Sequence, residues 1–237
     1  MITKLLSIFY FFDLSMLARI YGTDKWGSHK YTPIYQEHFK RFKYKKINLL
    51  EIGVGGYKDP KRGGNSLRMW KAYFPYAQIF SFDIYDKSSL QENRIKIFKG
   101  DQTDEVFLNQ LLNDIGPIDI IIDDGSHINN HIIATFNILF PFLKDDGIYA
   151  IEDLQTSYWK DFGGDSENFD NPNTAMSFFK KLTDGLNHEE FFRPGYQETY
   201  YDEKITSIHF FHNMILVYKG KNDEESNMVL NNTEFKK

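Results

Sequence analysis

Short apolar runs alternate along this chain with segments whose apolar residues recur every three or four positions. Residues 47–52, 78–84, 95–98, 118–123 and 147–151 are of strand length and rich in β-branched or aromatic side chains. All five predict strands, and the apolar run through Ile120-Ile121-Ile122 predicts one buried on both faces. Helical periodicity occupies 65–75, 104–115 and 129–143 between them. Strand and helix in strict alternation predict a parallel sheet with right-handed crossovers. Two later runs, 205–210 and 214–218, joined by a short turn at 211–213, predict an antiparallel hairpin that completes the sheet.

Before the first strand, Asp13 is placed to cap a helix that carries Leu14, Leu17, Ala18 and Tyr21 on one face. A second helix is predicted over 33–42, and the glycine- and aromatic-rich stretch 21–31 reads as a loop. Residues 5–12 are apolar, but Asp13 ends the run far short of the roughly 20 residues that span a bilayer. Residues 1–12 are therefore expected to form an arm that docks on the domain or on a second subunit of a homo-oligomer, with membrane contact as the alternative. The stretch 57–64 is a long insertion able to fold over a ligand, and 155–172 has the composition of a substrate lid. A helix follows at 174–186, and 220–237 reads as a frayed polar tail.

With 237 residues, no internal repeat and no interior linker, the chain fits one domain. Its parts are a helical amino-terminal arm and cover at 1–45, a core at 46–154, the insertion at 155–172, a helix and hairpin at 173–219, and the tail at 220–237. Hydrophobic residues are 41% and charged residues 26%, an ordinary soluble mix, so a cytoplasmic protein with no stable membrane insertion is expected. A net charge of -5 gives no basic footprint for nucleic acid and favours a small or neutral partner. Cysteine is absent, so any metal must be held by oxygen and nitrogen.

The chemistry gathers where the strands end. The fourth run stops in Asp123-Asp124-Gly125-Ser126-His127, and ligands of open α/β sheets bind beyond the carboxyl ends of such strands. Asp124 or Ser126 could instead simply cap the next helix. The fifth run delivers Glu152-Asp153 to the same edge, and neighbouring carboxylates repel unless a cation or protons compensate them. A divalent-ion site is the expectation. After the first strand come Gly53, Gly55 and Gly56, but Lys58 stands where a dinucleotide fingerprint requires glycine. Glu51 beside these glycines suits a cationic, amine-bearing nucleotide. Asp83 ends the second strand, where an acid can accept both ribose hydroxyls. Asp101, in Gly100-Asp101-Gln102, could recognise an adenine amino group or start the following helix. His131 reads as a supporting or surface residue.

Taken together, these segments resemble the class I S-adenosylmethionine-dependent methyltransferases. The chain is most similar to the catalytic domain of the mycinamicin- and demethylmacrocin-type macrolide-sugar O-methyltransferases. The resemblance rests on Tyr-Gly-Thr-Asp-Lys at 21–25, Glu-Ile-Gly-Val-Gly-Gly-Tyr at 51–57 and Gly-Gly-Asn-Ser-Leu-Arg-Met-Trp at 63–70. It continues through Gly-Asp-Gln at 100–102, Ile-Asp-Asp-Gly-Ser-His at 122–127 and Ile-Glu-Asp-Leu-Gln-Thr-Ser-Tyr-Trp at 151–159. These motifs cover roughly residues 13–165, and the separate amino-terminal domain of the macrolide enzymes is not expected here.

The resemblance implies a Rossmann-like, mostly parallel seven-stranded sheet. It also implies S-adenosylmethionine as methyl donor and Mg2+, with Mn2+ as a substitute, held by Asp124, Glu152 and Asp153. His127 would be the general base, with Asp124 beside it in the reaction. Cofactor contacts would fall at Glu51, Gly53, Gly55, Ser66, Asp83, Asp101, Gln102 and Asp123, with Thr23 and Lys25 close by. The implied acceptor is a sugar hydroxyl of a bacterial glycan or glycosylated metabolite, and a vicinal diol suits the metal. Two other readings stay open: a metal-dependent methyltransferase of a catechol or other small phenol, and a non-catalytic cofactor-binding module.

Overall fold

In the computed structural model the five apolar runs become a parallel ladder. The structure describes residues 6, 7 and 9–227, together with the backbone of 229–230 and 233–234. Strands β1 (Asn48–Ile52), β2 (Gln78–Asp83), β3 (Ile95–Lys99), β4 (Ile118–Asp123) and β5 (Leu143–Ile151) are joined by the hairpin strands β6 (Ile205–Phe211) and β7 (Met214–Lys219). The spatial order is β3-β2-β1-β4-β5-β7-β6, with β7 antiparallel to both of its neighbours. The sheet is the Rossmann-like, mostly parallel one expected, with its antiparallel pair at one side.

Alternate residues of each strand feed two cores. Leu49, Ile120, Ile122, Ile148, Ala150 and Leu216 pack toward α1 (Leu14–Tyr21), α2 (Tyr31–Phe39) and α3 (Asn65–Tyr73). Leu50, Ile52, Ile121, Tyr149, Ile151 and Val217 pack toward α4 (Glu105–Ile115), α5 (Asn129–Leu139) and α6 (Ala175–Gly185). Burial on both faces is why β1, β4 and the end of β5 read as largely apolar runs, whereas β3, at the sheet's edge, leaves Lys96 and Lys99 exposed. Helix starts follow local chemistry: Asp13, Asp104 and Thr174 each accept a hydrogen bond from a backbone N–H of the first turn.

Several boundaries differ from expectation. The helix expected at 33–42 begins at Tyr31 and tightens into a 3-10 turn over Lys40–Phe42. That expected at 129–143 stops at Leu139, because Pro141 falls in the next turn, Phe140–Phe142. The five-residue helix α7 (Tyr200–Lys204) was not foreseen; a reciprocal cap between Thr199 and Asp202 starts it. Within the tail, β8 (Val229–Leu230) pairs with β9 (Thr233–Glu234) where fraying was expected. Of the arm, residues 1–5 and 8 lie outside the described residues. Lys43 Nζ donates to Phe11 O at 2.5 Å and sits over the Phe11, Phe12 and Tyr73 rings, while Phe9 and Phe12 stay exposed. Among the described residues no helix is long and apolar enough to cross a membrane.

The strand order reverses between β1 and β4, which opens a crevice at their carboxyl ends. The insertion 57–64 folds back beside this crevice, where the buried Lys87 ammonium donates to Asp59 O at 2.7 Å and Arg62 O at 3.1 Å. The 155–172 insertion is tied down by the buried Asn129, whose amide donates to Thr156 O and Phe162 O and accepts from Ala175 N.

Candidate active site

Backbone hydrogen bonds carry the parallel ladder past the strand ends and fix where the acids emerge. Gly53 N donates to Phe82 O, Asp124 N to Ile52 O and Glu152 N to Asp123 O, at 2.9–3.1 Å. Gly53 has φ 92°, and a Cβ there would lie 2.3 Å from Asp124 O, so only glycine lets the two strand ends approach this closely. Gly55, at φ 75°, faces open space.

On the α1–α3 side of the edge the site is dry. Lys25, 1% exposed, brings its ammonium to 2.7 Å from Glu152 Oε1, 2.8 Å from Asp124 Oδ2 and 3.2 Å from Glu51 Oε1. Tyr35 donates its hydroxyl to the same Glu152 oxygen at 2.5 Å, and Trp70 Nε1 donates to Glu51 Oε2 at 2.9 Å. Glu51 Oε1 meets the ammonium as an ion pair but lacks hydrogen-bonding geometry to any partner. Burial alone would depress the Lys25 pKa. Asp124, Glu152 and Glu51 together outweigh it and hold the ammonium well above its usual range. Burial pushes the Glu152 and Glu51 carboxyls up, and Lys25 opposes both shifts.

The other side of the edge is half-open. One ligand atom each from Asp124, His127 and Asp153 lie within 4.8 Å of one another. His127 Nε2 is 4.0 Å from Asp124 Oδ1 and 3.8 Å from Asp153 Oδ2, while His29 Nδ1 is 3.5 Å from Asp153 Oδ1. Tyr31 donates its hydroxyl to Asp153 Oδ1 at 2.8 Å; burial, then Asp153, raises its own ionisation far above the usual phenol range. Both His127 (φ 57°) and Asp153 (φ 55°) sit in the left-handed region, a costly conformation for residues with a Cβ. Two such residues facing each other are held by the surrounding turns.

The expected cofactor contacts divide. Gly53, Gly55, Asp83, Asp101, Gln102 and Asp123 lie at or just beyond the carboxyl ends of β1–β4. Asp83 Oδ2 accepts from Val54 N at 3.0 Å, which ties it to the glycine turn. Asp101 Oδ1 accepts from both the N–H and the hydroxyl of Thr103 at 2.8 Å, so part of its capacity serves its own turn. Gln102 Oε1 accepts from Ser126 N at 2.7 Å, and its Nε2 donates to Thr135 Oγ1 at 3.1 Å. Asp123 is buried with Oδ2 unpartnered, and desolvation lifts its pKa to about 7.

Three expected contacts differ in setting. Glu51 is fully buried against Trp70 and Lys25, Thr23 is buried beside Lys25, and Lys25 itself turns into the acid cluster. Ser66 is half-buried in the first turn of α3. Of the expected metal ligands, Asp124 and Asp153 face the half-open side, whereas Glu152 commits Oε1 to Lys25 and Tyr35. His131 hydrogen bonds Ser126 Oγ at 3.0 Å, in a supporting position. Sequence reasoning missed His29, Tyr31, Tyr35 and Trp70. The spacing of Tyr31 and Tyr35 by four on one helix was the available signal, because it stacks two phenols on one face.

Comparison with known proteins gives close relatives. The chain is 45% identical over 214 residues to the mycinamicin VI 2''-O-methyltransferase of Micromonospora griseorubida, covering 90% of this chain and 54% of that protein. It is 46% identical over 210 residues to the 8-demethyl-8-alpha-L-rhamnosyl tetracenomycin-C 2'-O-methyltransferase of Streptomyces olivaceus, covering 88% and 55%. The MycE methyltransferase of the mycinamycin biosynthetic pathway, solved with Mg and SAH, matches the fold with a TM-score of 0.87 at 45% identity, over 90% of this chain and 55% of that one. No protein-family model matches the chain. The chain spans about half the length of the curated relatives it matches.

Proposed function

We propose, for a chain that has the class I methyltransferase fold and resembles about half of the macrolide-sugar O-methyltransferases, that it methylates a sugar hydroxyl of a glycosylated small molecule with S-adenosylmethionine as donor and a divalent ion, Mg2+, at the acceptor end. The observation that carries this reading is the juxtaposition of Asp124, His127 and Asp153 beside the glycine turn after β1. The donor set fits the ion: two carboxylates supply hard oxygens and leave positions for acceptor oxygens. The crevice fits the nucleotide: Gly55 faces open space, and Asp83 is fixed beside it through Val54 N.

When bound, S-adenosylmethionine supplies an electrophilic methyl, and the divalent ion lowers the pKa of the acceptor hydroxyl. The chain supplies the rest. Asp124 and Asp153 would hold the ion and orient a vicinal diol, with Glu152 able to join through Oε2, since Oε1 is engaged. Tyr31 steadies Asp153 by donating to Oδ1. His127 Nε2 would receive the proton of the acceptor hydroxyl as its oxygen takes the methyl from the donor. Proximity of acceptor and methyl supplies much of the acceleration.

The test is methyl transfer from isotopically labelled S-adenosylmethionine to a panel of rhamnosides and free catechols, with and without chelator. Metal-dependent methylation of the glycosides is expected. Methylation confined to catechols would move the reading to phenols, and cofactor binding without turnover on either class, in any metal, would leave a binding module.

A further inference from the structure

The ammonium of Lys25 has the surroundings of a metal ion. It is 2.7–3.2 Å from one oxygen on each of three carboxylates, which arrive from β1, β4 and β5, and it is almost completely excluded from water. Its backbone is pinned as well, because Lys25 O accepts from Tyr31 N and Thr32 N at the start of α2. Divalent cations take carboxylate oxygens at about 2.0–2.6 Å, so a contraction of these contacts by about 1 Å at most would suit one in the same place, with Glu51 moving furthest. Asp124 is shared: Oδ2 contacts the ammonium, while Oδ1 faces His127 on the half-open side. One carboxylate between two cation positions is the arrangement of a two-metal centre.

We propose that Lys25 fills with its own ammonium what would otherwise be a second cation position, and so limits this edge of the sheet to one exogenous divalent ion. The inference rests on the metal reading of the half-open side only for the count of one. The dry side stands on its own contacts. Without a cation the two buried carboxylates, Glu51 and Glu152, and the half-buried Asp124 would have to take up protons or recruit a metal, since uncompensated charge is costly away from water. Glu51 Oε1, which has the ion contact and no hydrogen bond, is the oxygen most exposed to that choice.

The experiment is Mn2+ titration of the full chain loaded with SAH, with free Mn2+ followed by electron paramagnetic resonance and no turnover required. One ion per chain is expected for the wild type and for Lys25→Arg, and two for Lys25→Met. Lys25→Met/Glu51→Gln, which removes one of the crowded acids, is the fallback if the single variant does not fold, and it too should take two. The same count in the wild type and in whichever Lys25→Met protein folds would overturn the proposal, because the acids would then have taken protons instead. Two ions in Lys25→Arg would also overturn it. A wild type that binds none, with one ion gained in Lys25→Met, would sink the metal part of the proposed function and leave the role of Lys25 standing.

Discussion

The two oxygens of Asp124 live in different media. Oδ2 faces a sealed pocket in which an ammonium, a phenol and an indole N–H answer three carboxylates; Oδ1 faces a half-open pocket with two imidazoles and one more carboxylate. The acids of the two halves are neighbours in sequence and nearly identical in type. They differ in whether the protein supplies its own cation. On the dry side it does, so those carboxylates are part of the frame. On the wet side two histidines and Tyr31 stand beside Asp153 among the described residues, and it is this half to which the proposed chemistry is assigned.

The sharpest break of this contrast is Glu152→Ala. It takes away the nearest partner of Lys25 and strands the Tyr35 hydroxyl in a buried site. Removing one partner of a buried ion pair costs about 3–5 kcal/mol. Chemical denaturation should register that loss in metal-free protein. A cost under about 1 kcal/mol would mean that the dry cluster is not part of the frame.

His127→Asn probes the wet side with the opposite signature. Asparagine tolerates the left-handed backbone that His127 adopts, so the turn should survive. Stability is expected within about 0.5 kcal/mol of wild type. Turnover should fall about 10²–10⁴-fold, the usual contribution of a general base, with SAH affinity retained in calorimetry. Unchanged turnover would remove His127 from the proton path.

Tyr31→Phe sits between these two. It deletes one hydrogen bond to a carboxylate, worth about 1.5–3 kcal/mol when intact. Because Asp153 is half-open, water can replace the phenol, so the effect should appear as a loosening of Mn2+ binding by about tenfold or less with little loss of stability. A stability loss matching that of Glu152→Ala would erase the boundary between the halves.

How far this contrast is legible in sequence depends on the distance between partners. β1, β4 and the end of β5 could be read because burial on both faces leaves a largely apolar run, β2 and β3 from their β-branched and aromatic residues, and helix starts because Asp13, Asp104 and Thr174 act within three residues. The acids of both halves were found for the same reason: each closes a legible strand. Lys25 was assigned to the cofactor instead, because its partners are 26, 99 and 127 residues away and meet only when three strands align. Crowded acids call for a compensating charge, and beside Glu51, Asp124 and Glu152 the charge within reach is the Lys25 ammonium. Short elements such as α7 rest on a local cap with too few residues for periodicity to speak.

The smallest effect concerns Asp123, which belongs to neither half. It points to the α4–α6 side of the sheet, where desolvation lifts its pKa from 3.8 to about 7. A raised carboxyl pKa means that the folded state holds a proton the unfolded state has released between those values. Stability of the cofactor-free protein should therefore be greatest below about pH 4 as far as this group is concerned, decline as pH rises, and level off above about 7. Asp123→Asn removes the slope, so its melting temperature, measured in chelator, should fall less between pH 5 and 7 than that of the wild type, by a few degrees at about 2–4 °C per kcal/mol. Parallel curves for the two proteins would mean that Asp123 is ionised in the fold throughout, with a counter-charge or water at Oδ2.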